Sequence, residues 1–337
     1  MRRFALSSFL TSSLLTGTLG ALAVTATATG ALPARAEAPK VVVSIKPIHS
    51  LVASVMHGVG EPVLLVRGGA SPHSYTMKPS DAKALSAADL VVWVGPELEG
   101  FLEKPLKANA PKATRLTLME QKGMTLLQSR EGGSWEAHDH GHEAHDHKDH
   151  DHKGHDHAAD HDDDHDELNS HIWLDPANAR AIVSATADAL AARDAANAEA
   201  YRTNADRTLQ AIDALDAELK ATLAPLKDKP FVVFHDAYQY FEARYDLSAV
   251  GSITVSPDRR PSAKRLSAIR AKIAGLNAAC VFAEPQFEPT LVRTVVEGTK
   301  ARTGVLDPEG ADLPEGEALY PTLLRNLAAS LRGCLGA

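Results

Sequence analysis

The sequence predicts an α/β protein of two βα lobes, each a mostly parallel sheet flanked by helices, joined by a long backbone helix. Three observations carry that expectation. Short apolar runs alternate with segments of helical periodicity on both sides of the chain's middle, the pattern of parallel βα units. Between the two regions, residues 177–224 hold neither proline nor glycine, and apolar side chains recur at helical spacing, as at Leu209, Ile212, Leu215 and Leu219. The length of 337 residues suits about two domains at ~100–200 residues each.

In order, residues 41–45 (VVVSI) read as a short buried strand, and 47–59 as a helix opened by Pro47 and stopped by Gly60. Residues 63–66 form the next strand, 80–87 a short helix capped by Ser80, and 90–94 (LVVWV) a third strand, after which Pro96 opens a helix toward residue 108. The stretch 177–224 is long for one globular helix, and Asp194 and Asn197 are residue types that cap a second segment, so a helix, a break and a longer helix to about Leu223 are expected. The second region reads as strand 231–234, strand 249–255, helix 261–274, strand 280–283, helix 289–301, strand 304–306 and a closing helix 321–331. The expected organisation is an export signal over 1–36, an N-terminal lobe over 37–176, a connecting helical segment over 177–224 and a C-terminal lobe over 225–337.

Met1-Arg2-Arg3, a diluted apolar run and the small-x-small site Ala34-Arg35-Ala36 make the signal, with cleavage expected near Ala36. An export signal implies a disulfide-permissive compartment. The two cysteines, Cys280 and Cys334, therefore read as one disulfide, since no CxxC spacing offers a metal site instead. The formal charge of −8 is concentrated in 136–167, which carries 13 acidic residues and two lysines, so the remainder is close to neutral. No basic face is available for nucleic acid, and nothing points to an oligomer, so a monomer is the default.

The tract 136–167 cannot bury a core and reads as a disordered insertion. It holds eleven of the 16 histidines: His138, His140, His142, His145, His147, His150, His152, His155, His157, His161 and His165. Their intervals, mostly of two and three residues and interleaved with aspartates, suit a flexible chelator that collects several ions weakly. Of the other five, His49 and His57 lie inside the helix expected over 47–59 and read as structural. His73 sits in a loop after a strand, His171 precedes the helical connector, and His235 directly follows a strand. Ligands of open α/β sheets bind beyond the carboxyl ends of strands. Asp307 also follows a strand, and three imidazoles with one carboxylate make a four-coordinate set for a borderline-soft divalent ion. Asp236 and Glu284 are the types that accept the free N–H of a metal-bound imidazole, with Glu284 an alternative ligand.

Taken together, several segments resemble the zinc-binding, ZnuA-like group of periplasmic solute-binding proteins that serve high-affinity zinc ABC importers. They are Ser44-Ile45-Lys46-Pro47, Gly69-Ala70-Ser71-Pro72-His73-Ser74-Tyr75, Pro79-Ser80-Asp81, Asp89-Leu90-Val91-Val92-Trp93-Val94-Gly95, His171-Ile172-Trp173-Leu174-Asp175-Pro176, Phe234-His235-Asp236-Ala237-Tyr238, Phe282-Ala283-Glu284-Pro285-Gln286-Phe287 and Leu306-Asp307-Pro308. The resemblance implies Zn²⁺ in the cleft between lobes, held by His73, His171 and His235. Its fourth position would be filled by Asp307 or water, because Pro72 replaces the glutamate that some members carry next to the first histidine. It also implies a membrane permease as partner, a periplasmic location and no enzymatic activity. Cys280 and Cys334 resemble the disulfide of some zinc members.

Three other readings remain open at this stage. One is a manganese or other divalent-metal protein of the same family. Another is an exported zinc buffer whose tract does the work. The third is an exported zinc hydrolase, although no H-E-x-x-H, nucleophile elbow or P-loop is present. Because zinc competes with protons for imidazole, affinity is expected to fall as pH drops through the histidine range.

Overall fold

Two parallel four-stranded sheets organise the chain, and they differ from the expected strands mainly at the edges. The structure, a computed structural model, describes residues 37–130, 135, 168–254, 261–276, 278–287 and 290–336. The expected signal and the His/Asp tract with its eleven histidines lie outside the described residues.

The first sheet holds β1 (Val41–Val43), β2 (Val63–Leu64), β3 (Leu90–Trp93) and β4 (Thr114–Thr117) in the order β2-β1-β3-β4. All its pairings are parallel, which requires helical crossovers: α1 (Lys46–Val55), α2 (Pro79–Ser86) and α3 (Glu103–Asn109). The run at β1 is apolar throughout because both faces are covered: every residue of it is buried. The strand β4 had no clear signal, since its first half is exposed and three of its four residues, TRLT, are polar. The helix expected from Pro96 begins only at Glu103. Glu99 folds back instead, its carboxylate accepting from the amides of Val94 (3.2 Å) and Gly95 (3.0 Å), which closes the end of β3.

The connector breaks where the capping residues stand. The helix α4 (Pro176–Arg193) starts with Asp175 accepting from Ala177 N at 2.8 Å and Pro176 in the first turn. Asp194 ends it, taking hydrogen bonds from Asn197 Nδ2 (2.7 Å) and Tyr201 Oη (2.9 Å). The helix α5 (Ala198–Leu223) follows, 26 residues or about 39 Å long. Tyr201, Ala205, Ile212, Leu215, Leu219 and Leu223 form its buried stripe.

The second sheet holds β5 (Phe231–Val233), β6 (Ala249–Ser252), β7 (Cys280–Ala283) and β8 (Arg302–Val305) in the order β6-β5-β7-β8, again all parallel. Helices α6 (Gln239–Tyr245), α7 (Ala263–Gly275) and α8 (Thr290–Val296) link the strands. The last helix, α9 (Leu319–Leu335), returns across the chain and packs on both α1 and α5. Its entry is fixed by Ser50, which accepts from Tyr320 N and donates to Glu317 O, each at 2.9 Å. One hydrophobic core therefore runs through both halves, with Trp173, Tyr201 and Tyr320 essentially inaccessible.

Cys280 and Cys334 are joined, with Cα atoms 6.1 Å apart, and tie the start of β7 to the end of α9. Closing a loop of 54 residues constrains the unfolded chain by roughly 4 kcal/mol in the entropy model. A Cys280→Ala/Cys334→Ala variant is expected to lose at least ~2 kcal/mol, read as a lower urea midpoint. An unchanged midpoint would remove the disulfide from the stability account.

Candidate metal centre

His73 stands in the loop between β2 and α2, His171 immediately before the 3₁₀ turn Ile172–Leu174 that leads into α4, and His235 just past β5. These three come from segments 98 and 64 residues apart in sequence, yet their Nε2 atoms converge: His73 to His171 is 3.3 Å and His235 to His171 is 3.2 Å. They form a group of facing ligand atoms, all within 4.8 Å of one another. A tetrahedral ion at ~2.0–2.1 Å from each imidazole nitrogen sets nitrogen–nitrogen edges of about 3.3 Å. Two of the three edges thus already have the length of a zinc polyhedron's.

Their orientation is built from outside the group. Asn169 Nδ2 donates to Asp236 O (2.9 Å) and Gln239 Oε1 (3.0 Å), which turns Asn169 Oδ1 toward His171 Nδ1 at 2.9 Å. That oxygen can only accept, so the His171 proton sits on Nδ1 and Nε2 keeps its lone pair. His235 Nδ1 lies 2.7 Å from each Glu284 oxygen, with the same consequence. Glu284 is 2% exposed. It orients the ring as a carboxylate partner does in metal sites.

Burial, reinforced by repulsion from His235, pushes His73 down to about 3. Burial and the other two rings push His171 well below the histidine range. This changes the expectation about acid. Two of the three imidazoles have lost their protons to packing before an ion arrives, so they do not titrate across the ordinary histidine range.

Asp307 does not join the group. Its oxygens accept from the amides of Glu309 (3.0 Å), Gly310 (2.9 Å) and Ala311 (2.6 Å) and from Gln286 Nε2 (2.9 Å). Gly310 at φ 70° makes the turn that gathers these amides. The expectation that Asp307 supplies a ligand is therefore not met in this arrangement, because the carboxylate is consumed in shaping its own loop. That loop instead carries Glu309 to the wall of the histidine pocket. Glu309 is 8% exposed, and among the described residues its carboxylate accepts no hydrogen bond. Burial raises its pKa well above the usual carboxylate value, assisted by Asp307 and Glu99.

The other named residues fall outside the cage. Asp236 directs its carboxylate to Arg130 and away from His235. His49 bonds Pro62 O at 3.0 Å inside the fold, and His57 pairs with Glu317 at 2.6 Å, as structural histidines do. Glu309, Asn169 and Arg130 were not legible as site residues. A weak signal existed only for Asn169, two residues before His171.

The cavity between the rings is about 10 Å³. That is room for one water-sized sphere and none for an organic solute.

Comparison with known proteins gives the family. The family model for the periplasmic component A of zinc-uptake complexes, ZnuA, matches residues 41–334. The high-affinity zinc uptake system protein ZnuA of Brucella abortus is 53% identical over 304 residues, 88% of this chain and 91% of that protein. A crystal structure of a ZnuA deletion mutant with zinc bound is similar at TM-score 0.71 and 25% identity, covering 89% of this chain and 99% of that one. The solute-binding protein FpvC of Pseudomonas aeruginosa in complex with Mn²⁺ shares the fold at TM-score 0.70 and 21% identity, covering 88% and 98%.

Proposed function

The chain belongs to the ZnuA family of periplasmic zinc-uptake components, and from that premise we propose that it captures Zn²⁺ in the interlobe cleft and delivers it to the membrane permease of a zinc ABC importer. The observation that carries the reading is the pair of Nε2–Nε2 distances of 3.2 and 3.3 Å, with the two Nδ1 protons of His171 and His235 already committed elsewhere. His73, His171 and His235 supply three neutral ligands. A water or a carboxylate of the loop after β8 takes the fourth position, and Glu284 and Asn169 hold the rings. An all-imidazole set favours zinc over manganese, which prefers oxygen ligands. The small cavity between the rings suits a single ion and supports a binding protein over a hydrolase.

The export signal over 1–36 and cleavage near Ala36 place the mature protein in the periplasm under this reading. The tract 136–167 serves as an auxiliary collector or sensor. Metal analysis of protein purified without an affinity tag, followed by anomalous scattering at the zinc edge, is expected to find one ion among the three Nε2 atoms. Deleting 136–167 should remove only the weak additional stoichiometry. Loss of the tight site on that deletion would assign function to the tract instead and reject the cleft reading.

A further inference from the structure

The segments that lead into and out of the His/Asp tract are tied to the metal pocket at their roots. Gln128 and Leu168 pair antiparallel, and Asn169 N donates to Leu127 O at 2.8 Å. On the outgoing side stands Asn169, which holds both His171 Nδ1 and the carbonyl of Asp236. On the incoming side stands Arg130, inserted between two carboxylates of the C-terminal half.

The guanidinium of Arg130 reaches both carboxylates from all three of its nitrogens. Its Nε donates to the Asp236 oxygens at 3.1 and 3.0 Å, and Nη2 also donates to Asp236. Nη1 donates to Glu242 Oε2 at 2.7 Å and Nη2 to Glu242 Oε1 at 3.0 Å. The Trp135 ring covers one face, its centroid 3.6 Å from Cζ. All three charged side chains are largely withdrawn from solvent, at 21% exposure for Arg130, 13% for Asp236 and 6% for Glu242. A planar fork satisfies two carboxylates at once, whereas an ammonium is a point charge. Removing the cation would leave two crowded carboxylates without compensation. One of them belongs to the residue that follows His235.

We infer that Arg130 is a positioning residue of the metal centre: by clamping Asp236 and Glu242 it fixes the backbone that presents His235 and, through the Asn169–Asp236 bond, the separation of His235 from His171. The inference rests on the three imidazoles being the zinc ligands. Arg130 touches neither ion nor ring, and it acts through Asp236. The root of the tract is thereby part of the scaffold of the site.

The test uses the full mature chain and two probes, Zn²⁺ in competition with a chromophoric chelator and Co²⁺ absorption as a report on coordination geometry. Arg130→Gln is expected to weaken zinc about tenfold, the range for partners outside the ligand shell, and to shift the Co²⁺ bands. Arg130→Lys keeps the charge and the fold but should restore only part of both. Adding Asp236→Asn to Arg130→Gln should cost little more, because the two act as one unit. Deletion of 136–167, which retains Arg130 and Trp135, should leave affinity and spectrum as in the wild type.

Wild-type affinity and spectrum in both Arg130 variants would overturn the inference. So would a loss of affinity with an unshifted spectrum and full additivity with Asp236→Asn. If Arg130→Gln does not fold, the Co²⁺ spectrum of Arg130→Lys decides: shifted bands support the inference and wild-type bands reject it. Should His171→Ala retain tight zinc, the assignment of the site itself fails. Should it lose zinc while the Arg130 variants stay wild type, only the positioning role falls.

Discussion

Replacing His171 with alanine is expected to lower zinc affinity by about two to three orders of magnitude. Both short Nε2–Nε2 distances, 3.3 Å to His73 and 3.2 Å to His235, end on this ring. Asn169 aims it in advance, so little ordering cost is left to be met at binding. Apparent binding energies of structural zinc run to ~10–16 kcal/mol over four ligands, or about 3–4 kcal/mol each. At ~1.4 kcal/mol per decade, that is roughly a 10²–10³-fold loss for one imidazole. His73→Ala and His235→Ala should lose similar amounts. His49→Ala, by contrast, removes a buried histidine whose Nε2 serves Pro62, and should leave affinity unchanged. Competition titration of the four variants measures this. Tight binding retained by every one of the three ligand variants would end the account of the site.

Acid should strip zinc from His73 and His171 far less readily than from ordinary imidazoles. An imidazole with a pKa of ~6.5 is only about 3% neutral at pH 5, so two of them would cost about a thousandfold in apparent affinity. Here packing holds His73 at about 3 and His171 well below the ordinary range. The sign follows directly. A base with a lowered pKa stays neutral to lower pH, so protons compete for His73 only as the pH approaches about 3. At pH 5 neither ring should impose the thousandfold loss. Long-range ¹H–¹⁵N spectra of the apo protein are expected to show both rings neutral at pH 5, with His171 protonated on Nδ1. A titration midpoint near 6.5 for either ring would contradict the burial argument.

Much of the fold was legible because apolar runs buried on both faces have few alternatives. The runs at β1, β3, β5 and β7 could hardly be anything but central parallel strands. The break after Arg193 was legible because Asp194 and Asn197 are capping types in a stretch otherwise free of interruption. The edge strand β4 was not, since half its residues face water and its pattern carries no burial signal. The three histidines were legible from their place at strand and loop ends, where an α/β sheet presents ligands. Asp307 stands outside the histidine group for a physical reason. The sequence Asp307-Pro308-Glu309-Gly310 is a turn signature, and a turn uses the aspartate's oxygens to collect amides. Such a turn also decides which later side chain faces the pocket, and that depends on the path of the chain, which no local pattern encodes. Glu309 was invisible for this reason. Arg130 was hidden because its partners, Asp236 and Glu242, are more than a hundred residues away.

Lys46, at the start of α1, has its ammonium seated on three carbonyls of the loop after β8: Gly310 at 2.6 Å, Ala311 at 2.8 Å and Leu313 at 2.7 Å. Nearby, Trp173 Nε1 donates to Pro308 O at 2.8 Å and Tyr320 Oη to Trp173 O at 3.0 Å. The same loop that walls the ion is thus buttoned to the opposite half of the molecule. Separation of the halves by even an ångström or two would have to undo these bonds together. Under the proposed transport role, release of an ion through an opened cleft would have to include the breaking of these bonds.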